Sequence, residues 1–332
     1  MTQGVDSFTY NDFELMTTIG TGTFGRVYLS RVKPSAFAKT KLSPFSYYAL
    51  KILQKENIVK LRQVEHVQNE KRVLQELQSP FIVNLLYQFQ SSANLYMVMD
   101  YVPGGELFSH LRKMGKFTLG MTLFYASELT AAIGYMHRNG VIYRDLKPEN
   151  LLLSGRGHLK LCDFGFAKYV EDGDITFTLC GTAEYLAPEI IKGKGHGKAV
   201  DWYALGILIF EMLVGYPPFY DDHPFGIYEK ILRAKLVFPS TINPAAKDLI
   251  KHLLQHDLSK RLGNLRNGTA GVKNHPFFHN IDWEMVENLE LQPPIVPRIS
   301  HPGDTSYFDM YPEETTIHSV KDDPYKRLFE DF

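Results

Sequence analysis

Five short runs of aliphatic, β-branched and aromatic residues, FELMTTI, RVYLSRV, YYALKIL, FIVNLLYQF and NLYMVMDYV, occupy the first hundred residues, each bounded by Gly, Pro, Ser or Asn. They predict strands of one sheet. Between the third and fourth runs, residues 56–77 place Val64, Val67, Leu74 and Leu77 at helical steps and predict one helix. Glu70 lies on that stripe, one turn from both Val67 and Leu74, so its carboxylate needs a cationic partner once buried. Beyond Pro103-Gly104-Gly105 the pattern changes. FTLGMTLFYASELTAAIGYMHRNG has helical periodicity with a stop at Gly140, and residues 199–214 and 244–255 are helical as well. The pattern predicts an α+β chain of two lobes, a small β-rich one with one main helix and a larger, mainly helical one.

Composition narrows the function classes. Thirty-six basic against 37 acidic side chains leave a formal charge of -1, so no global field points to nucleic acid or an anionic membrane as partner. The apolar run at 199–214 carries Asp201 and Glu211 and falls short of the roughly 20 residues a bilayer requires. It predicts a buried helix and no membrane insertion. The opening MTQGVDSFTY has neither the charge nor the apolar stretch of a secretory signal, and Thr2 in place of glycine argues against N-myristoylation. Two cysteines without metal-type spacing fit a reducing compartment; the expectation is cytoplasmic, with the nucleus or tethering through a partner as alternatives. From residue 284 onward, 11 acidic residues stand against 4 basic ones, and prolines are frequent. Such a segment does not fold alone; its aromatics Tyr307, Phe308, Tyr311, Tyr325, Phe329 and Phe332 predict a tail pinned onto the lobes.

Candidate chemistry begins at Gly20-Thr21-Gly22-Thr23-Phe24-Gly25-Arg26-Val27, where missing side chains let backbone N–H groups approach a phosphate. The strand-forming RVYLSRV that follows favours a hairpin over a nucleotide rather than a dinucleotide fold. Lys51 in YALK and Glu70 on the helix stripe supply an ammonium and its carboxylate, either for the α and β phosphates or as an ion pair with a structural role alone. Further on, Tyr143-Arg144-Asp145-Leu146-Lys147-Pro148-Glu149-Asn150 precedes Asp163-Phe164-Gly165 and Ala187-Pro188-Glu189, the order and spacing of the protein-kinase signature set. Phosphoryl transfer needs a carboxylate to accept the hydroxyl proton, oxygen ligands for magnesium and a cation on the γ-phosphate; Asp145, the pair Asn150 and Asp163, and Lys147 can supply them.

On these motifs the sequence resembles the AGC group of protein kinases, within it the cyclic-AMP-dependent catalytic subunits, from about Phe13 to Phe332. DFGFAK, TLCGT, EYLAPEII, AVDWYALG, GYPPF, KRLGNL and PGDTSYFD carry the likeness, and the chain's last residues, Phe329-Glu330-Asp331-Phe332, match that branch. The resemblance implies a bilobal protein kinase fold: an extension over 1–12, an N-lobe over 13–101, hinge and C-lobe over 102–278, and a C-terminal tail over 279–332. It implies ATP and Mg2+ as cofactors. Ile19, Val27, Ala49, Met99, Val102 and Leu152 match the adenine pocket, closed by Phe308, with Glu106 and Glu149 beside the nucleotide. Thr178 matches an activation-loop phosphosite gripped by His66, Arg144 and Lys168, and Ser319 a tail phosphosite. Glu106, Glu149 and Glu211 match residues that bind arginines upstream of the phosphoacceptor. Leu179 and Leu186 match the pocket for the residue after it, with Thr182 also on the substrate path.

The implied activity is phosphorylation of Ser or Thr in Arg-Arg-x-Ser/Thr-hydrophobic segments, under a separate cyclic-nucleotide-binding regulatory subunit, with a pseudosubstrate inhibitor peptide as a further partner. Ala183 and Phe177 depart from the family's Pro and Trp and bear on specificity and on the regulatory contact. The rival readings are another basophilic AGC kinase, a cyclic-GMP-dependent kinase fragment, or a pseudokinase scaffold; Lys51, Asp145, Asn150 and Asp163, all present, argue against the last.

Overall fold

The computed structural model describes residues 8–39, 42–171, 173–313 and 322–332. Ser319 lies outside them. Cα packing divides the chain into two compact units: residues 1–76, 83–105 and 298–332 form one, and residues 77–82 and 106–297 the other.

The first unit is built on five antiparallel strands, β1 (Phe13–Gly22), β2 (Gly25–Val32), β3 (Tyr48–Gln54), β4 (Leu85–Gln90) and β5 (Asn94–Asp100), in the order β1-β2-β3-β5-β4. One face carries an aromatic core in which Phe13 stacks on Phe89 and Phe89 on Tyr96, with ring centroids 5.7 and 4.5 Å apart. The five predicted strands are all present, but the fourth is shorter than its apolar run. Phe81 and Ile82 belong to the second unit instead, where Ile82 bridges Leu161 and the Phe81 carbonyl accepts from Leu161 N–H at 2.7 Å. The single helix expected over 56–77 is two, α1 (Lys55–Lys60) and α2 (Val64–Glu76). Arg62 adopts φ 56° between them, and a left-handed residue cannot continue a right-handed helix. On α2 the expected stripe holds, with Val67, Glu70 and Leu74 buried and Val73 beside them.

The second unit is mainly helical. In chain order it contains α3 (Leu107–Met114), α4 (Leu119–Arg138), β6 (Val141–Ile142), β7 (Leu151–Leu153), β8 (Leu159–Leu161), β9 (Lys168–Tyr169), α5 (Pro188–Ile191), α6 (Ala199–Val214), α7 (Pro224–Arg233), α8 (Pro244–Leu253), α9 (Gly268–Lys273) and α10 (Trp283–Glu287). Thr118 caps α4 by accepting from Met121 N–H, and Gly140 leaves it at φ 71°. Helix α6 is the predicted buried helix: every residue from Ala199 to Met212 is buried. No described helix is long and apolar enough to cross a membrane.

A buried ion pair fixes the entry to α6. The Arg261 guanidinium donates to both Glu189 oxygens, at 2.6 and 2.9 Å, and to the Ala199 carbonyl at 3.1 Å; it is fully buried. Such a pair adds little over a hydrophobic replacement of both partners, but removing one partner strands the other charge. Arg261→Met is therefore expected to destabilise the protein by about 3–5 kcal/mol. Arg261→Met with Glu189→Leu should recover a large part of that loss, as read from calorimetric melting temperatures.

Glycines in the β1–β2 hairpin have different jobs. A Cβ on Gly25 would lie 1.8 Å from the Ile52 carbonyl oxygen, whereas one on Gly20 would meet nothing nearer than Val27 at 3.7 Å. Gly25→Ala should lower the melting temperature clearly more than Gly20→Ala, because only the first forces β2 away from β3.

Candidate active site

In the first unit, the hairpin between β1 and β2 pairs Gly22 with Gly25, so Thr23 and Phe24 form the turn, and Thr21, Gly22 and Thr23 are exposed. The space left around Gly20 and Gly22 keeps that backbone approachable by a ligand oxygen. Lys51 on β3 lies opposite Val27 and Met97, and its Nζ is 2.6 Å from Glu70 Oε1 on α2. The helix stripe thus delivers a nearly buried carboxylate to an ammonium that keeps some exposure.

Ile19, Leu29 and Ala49 form a cluster against which Val27, Met99, Tyr47, Tyr101 and Phe308 pack, and Val102 is buried just after β5. Leu29, Tyr47 and Tyr101 were not among the sequence candidates; they occupy the same face by strand alternation, which is readable once the register is known. The tail is bonded down around this cluster. Tyr101 donates to the Asp304 carbonyl at 2.6 Å, and Ser300 and Ser306 hold the Asp304 carboxyl far below the usual range. Tyr307 rests on Gly105, whose φ of 72° and missing side chain leave no room for another residue. Glu313 accepts from Thr17 Oγ1 and from Thr18 N–H and Oγ1. Farther along, Phe329 is fully buried, with Lys55 beside its ring and Lys55 Nζ 2.6 Å from Asp323. His66 belongs to this unit too, its Nδ1 beside Gln63 Oε1.

In the second unit, buried Asp201 at the start of α6 organises the segment carrying Asp145. Its Oδ1 accepts from Arg144 N–H at 2.8 Å and its Oδ2 from Tyr143 N–H at 3.0 Å, while His137 Nε2 lies 2.8 Å from Oδ2. Arg144 takes φ 69° under that hold. Asp145 follows, 4 % exposed, and each of its oxygens is addressed: Oδ2 by Lys147 Nζ at 2.9 Å and Asn150 Nδ2 at 2.8 Å, Oδ1 by the Thr182 hydroxyl at 3.2 Å. Lys147 Nζ also reaches Thr182 Oγ1 at 3.0 Å. Asn150 donates a further bond to the Asp145 carbonyl, so its amide nitrogen is committed and Oδ1 remains to accept or ligate. Asp163 is exposed at φ 56°, with one oxygen taking Gly165 N–H at 3.2 Å. An amide oxygen and an exposed carboxylate are the hard donors that magnesium requires, so these residues fit the ion. Cys162 Sγ contacts the Asn150 carbonyl, and Cys162 and Cys180 are free thiols.

An acidic cluster lies in the same unit. Glu211 on α6 is buried and accepts from the Tyr185 hydroxyl. Burial pushes its carboxyl up to about 7; the Tyr185 bond and Arg112 oppose this, and Glu149 and Glu184 add to it. Glu149 Oε2 is buried without a hydrogen-bond partner among the described residues. Glu106, at the entry to α3, bridges Leu152 on β7. The structure thus places Glu149 with Glu211 and adds Glu184 and Tyr185, which the sequence did not single out because α6 is distant in the chain. Leu186 is buried in a small cavity lined by Arg144, Leu146, Thr182 and Ile190, whereas Leu179 is exposed.

Thr178 is exposed, Lys168 Nζ bonds Thr176 Oγ1 at 3.3 Å, and Arg144 Nε donates to the Phe166 carbonyl at 2.6 Å. A separate group, Asp248, His252 and His275, has ligand atoms within 4.8 Å of one another. It is satisfied internally. Phe277 N–H donates to His275 Nδ1 at 3.2 Å, which puts the ring proton on Nε2, facing Asp248 at 3.1 Å, where a metal would need a lone pair.

The family model described as "Protein kinase domain" matches residues 13–278. The chain is 52% identical over 312 residues to "cAMP-dependent protein kinase catalytic subunit 3" of Drosophila melanogaster, covering 94% of this chain and 52% of that protein. It is 52% identical over 306 residues to the Homo sapiens "cAMP-dependent protein kinase catalytic subunit PRKX", covering 92% and 82%. It is 48% identical over 327 residues to "cAMP-dependent protein kinase type 3" of Saccharomyces cerevisiae, covering 98% and 79%. The chain therefore spans about half the length of the Drosophila relative and about four fifths of the other two. A five-stranded antiparallel sheet, a helical second unit and the ordered set Lys51, Glu70, Asp145, Asn150 and Asp163 agree with that match, and the chain belongs to the protein kinase family, with catalytic subunits of cAMP-dependent protein kinase among its relatives.

Proposed function

We propose that the chain transfers the γ-phosphoryl of ATP to Ser or Thr in Arg-Arg-x-Ser/Thr-hydrophobic segments. The observation that carries this reading is the arrangement at Asp145: a nearly buried carboxylate oriented by Lys147, Asn150 and Thr182 toward one remaining task. Asp145 accepts the proton of the substrate hydroxyl. Lys147, tied to Asp145 and Thr182, is the cation available to the charge that develops on the transferred group. Lys51 would hold the α and β phosphates with Glu70 fixing its position, beneath backbone N–H groups of the Gly20–Gly25 hairpin. Ile19, Val27, Ala49, Met99, Val102 and Phe308, all in the first unit, would bind the base. Asn150 and Asp163 would hold Mg2+, which when bound neutralises charge on the β and γ phosphates. We further propose that Thr178 is phosphorylated in the active protein.

Substrate choice follows from the acidic cluster. Glu149 and Glu211, with Glu106, offer carboxylates matched to the guanidinium fork, and the unsatisfied Glu149 oxygen is stabilised by an incoming donor. Several relatives are named catalytic subunits, which supports a regulatory subunit on a separate chain; a pseudosubstrate segment of that subunit would occupy the same acidic residues, and Phe177 and Leu179 are exposed for further contact.

Two outcomes test the reading. With magnesium ATP and an Arg-Arg-x-Ser-Leu peptide, Asp145→Asn should lower kcat by roughly 10²–10⁴-fold while leaving nucleotide binding intact; undiminished transfer would sink the assignment. Because Glu211 titrates at about 7, its charge is lost as pH falls through that value. KM for the peptide should therefore rise from pH 8 to pH 6. Glu211→Gln should raise KM by roughly tenfold at pH 8 and flatten its pH dependence, since a charge-assisted bond is lost at every pH.

A further inference from the structure

The hairpin of β7 and β8 joins the two residues assigned to magnesium. Asn150 directly precedes β7, and Asp163 follows β8 after Cys162 alone. Leu151, Leu152 and Leu153 pair with Leu161, Lys160 and Leu159, and Cys162 N–H donates to the Asn150 carbonyl at 3.0 Å, so both residues stand at the base of one antiparallel ladder. They are not supported alike. The Asn150 amide is bonded to Asp145, whereas the Asp163 carboxylate receives one bond among the described residues, from Gly165 N–H at 3.2 Å, and its backbone stands at φ 56°. Where that carboxylate points therefore depends on how β8 delivers the chain to it.

The base of the hairpin is fastened by Cys162, whose N–H donates to Asn150 and whose carbonyl accepts from the Tyr143 hydroxyl, and by Leu161 N–H on the Phe81 carbonyl at 2.7 Å. Two strands of three residues held at one end alone can pivot about it. The other end is held by α4. Tyr125 and Glu128, three positions apart and so on one helix face, address three consecutive residues at the turn. The Tyr125 hydroxyl donates to the Gly157 carbonyl at 3.4 Å, Glu128 Oε1 lies 2.6 Å from His158 Nδ1, and Glu128 Oε2 accepts from Leu159 N–H at 2.8 Å. Glu128 is 2 % exposed, and burial pushes its carboxyl up while the bonds from His158 and Leu159 pull against it. An apolar side chain there would escape the cost of burial but would leave Leu159 N–H and the His158 ring without this acceptor.

We propose that Glu128 is a positioning residue for the magnesium site: by holding the turn at His158 and Leu159, it fixes the direction in which β8 presents Asp163 beside Asn150. This rests on the reading that Asn150 and Asp163 hold Mg2+. Glu128 touches neither of them. It acts through β8, since the four residue steps from Leu159 to Asp163 span roughly 13 Å of extended chain. With the turn released, the ladder persists but swings about its base, and the displacement falls on Asp163, the ligand whose side chain has the least support.

Mn2+ is a suitable probe, because it takes the same oxygen donors as Mg2+ and is visible by electron paramagnetic resonance. In the full chain with a non-hydrolysable ATP analogue, Glu128→Leu should weaken Mn2+ binding roughly threefold or more, with metal-free nucleotide binding and KM for the peptide unchanged. Glu128→Gln, whose amide oxygen can still accept from Leu159 N–H, should restore most of the loss; a side chain that only filled space would be replaced better by Leu. Asp163→Asn is the reference. If it leaves Mn2+ binding intact, the magnesium reading falls and the positioning role with it. If it removes Mn2+ binding while Glu128→Leu does not weaken it, or weakens metal-free nucleotide binding equally, the positioning role alone is overturned. A second measurement needs no variant. In the unaltered chain without nucleotide or metal, the Leu159 and Cys162 amides should exchange hydrogen within about threefold of one another, as one unit. Leu159 exchanging far faster than Cys162 means that the turn opens while the base holds, and overturns the role.

Discussion

A carboxylate that cannot reach water governs the second unit. Asp201 is 1 % exposed on a helix buried from Ala199 to Met212, so its charge must be met by N–H donors within reach. Those donors are the consecutive backbone amides of Tyr143 and Arg144, together with His137. Presenting two successive N–H groups to one carboxylate bends the chain, and Arg144 takes the left-handed conformation that a side chain ordinarily avoids. Asp145 comes out of that bend with a direction already set. Lys147, Asn150 and Thr182 refine a position that Asp201 imposes, and Arg261, bonded to the Ala199 carbonyl and to Glu189, secures the end of α6 on which Asp201 stands.

The parts legible in the sequence are those whose signal is local or periodic. Glu70 on an apolar stripe demanded a cation, and Lys51 at the end of a strand-like run met the demand. Helix α6 announced itself as an apolar run too short and too acidic for a membrane, and the five strand runs gave the sheet. The Asp145 to Asn150 segment was legible through motif order alone; nothing local to it shows that Asp201, 56 residues later, supplies the constraint.

What stayed hidden depends on contacts distant in the chain or on backbone conformation without a marker residue. The break at Arg62 carries neither Gly nor Pro, so the helical pattern ran through it. Phe81 and Ile82 read as strand because they are apolar, yet their backbone pairs with Leu161. Glycine itself misleads. Gly25 belongs to the phosphate-loop pattern, but its missing side chain is demanded by the Ile52 carbonyl, a contact only the sheet register creates. Glu184 and Tyr185 became visible only when the structure set them against Glu211.

Two clusters in the second unit hold buried polar atoms without a hydrogen-bond partner among the described residues: Glu149 Oε2 in one, Arg144 Nη1 and His196 Nε2 in the other. At Glu211 burial, with Glu149 and Glu184 nearby, raises the energy of the carboxylate, and a guanidinium would relieve it. At His196 the sign is opposite: burial, then Arg144, favours the neutral imidazole. Arg144 connects the second group to the first constraint, because its amide donates to Asp201 while its guanidinium donates from Nε to the Phe166 carbonyl. A cost remains at these unpaired atoms, which the rest of the unit must offset.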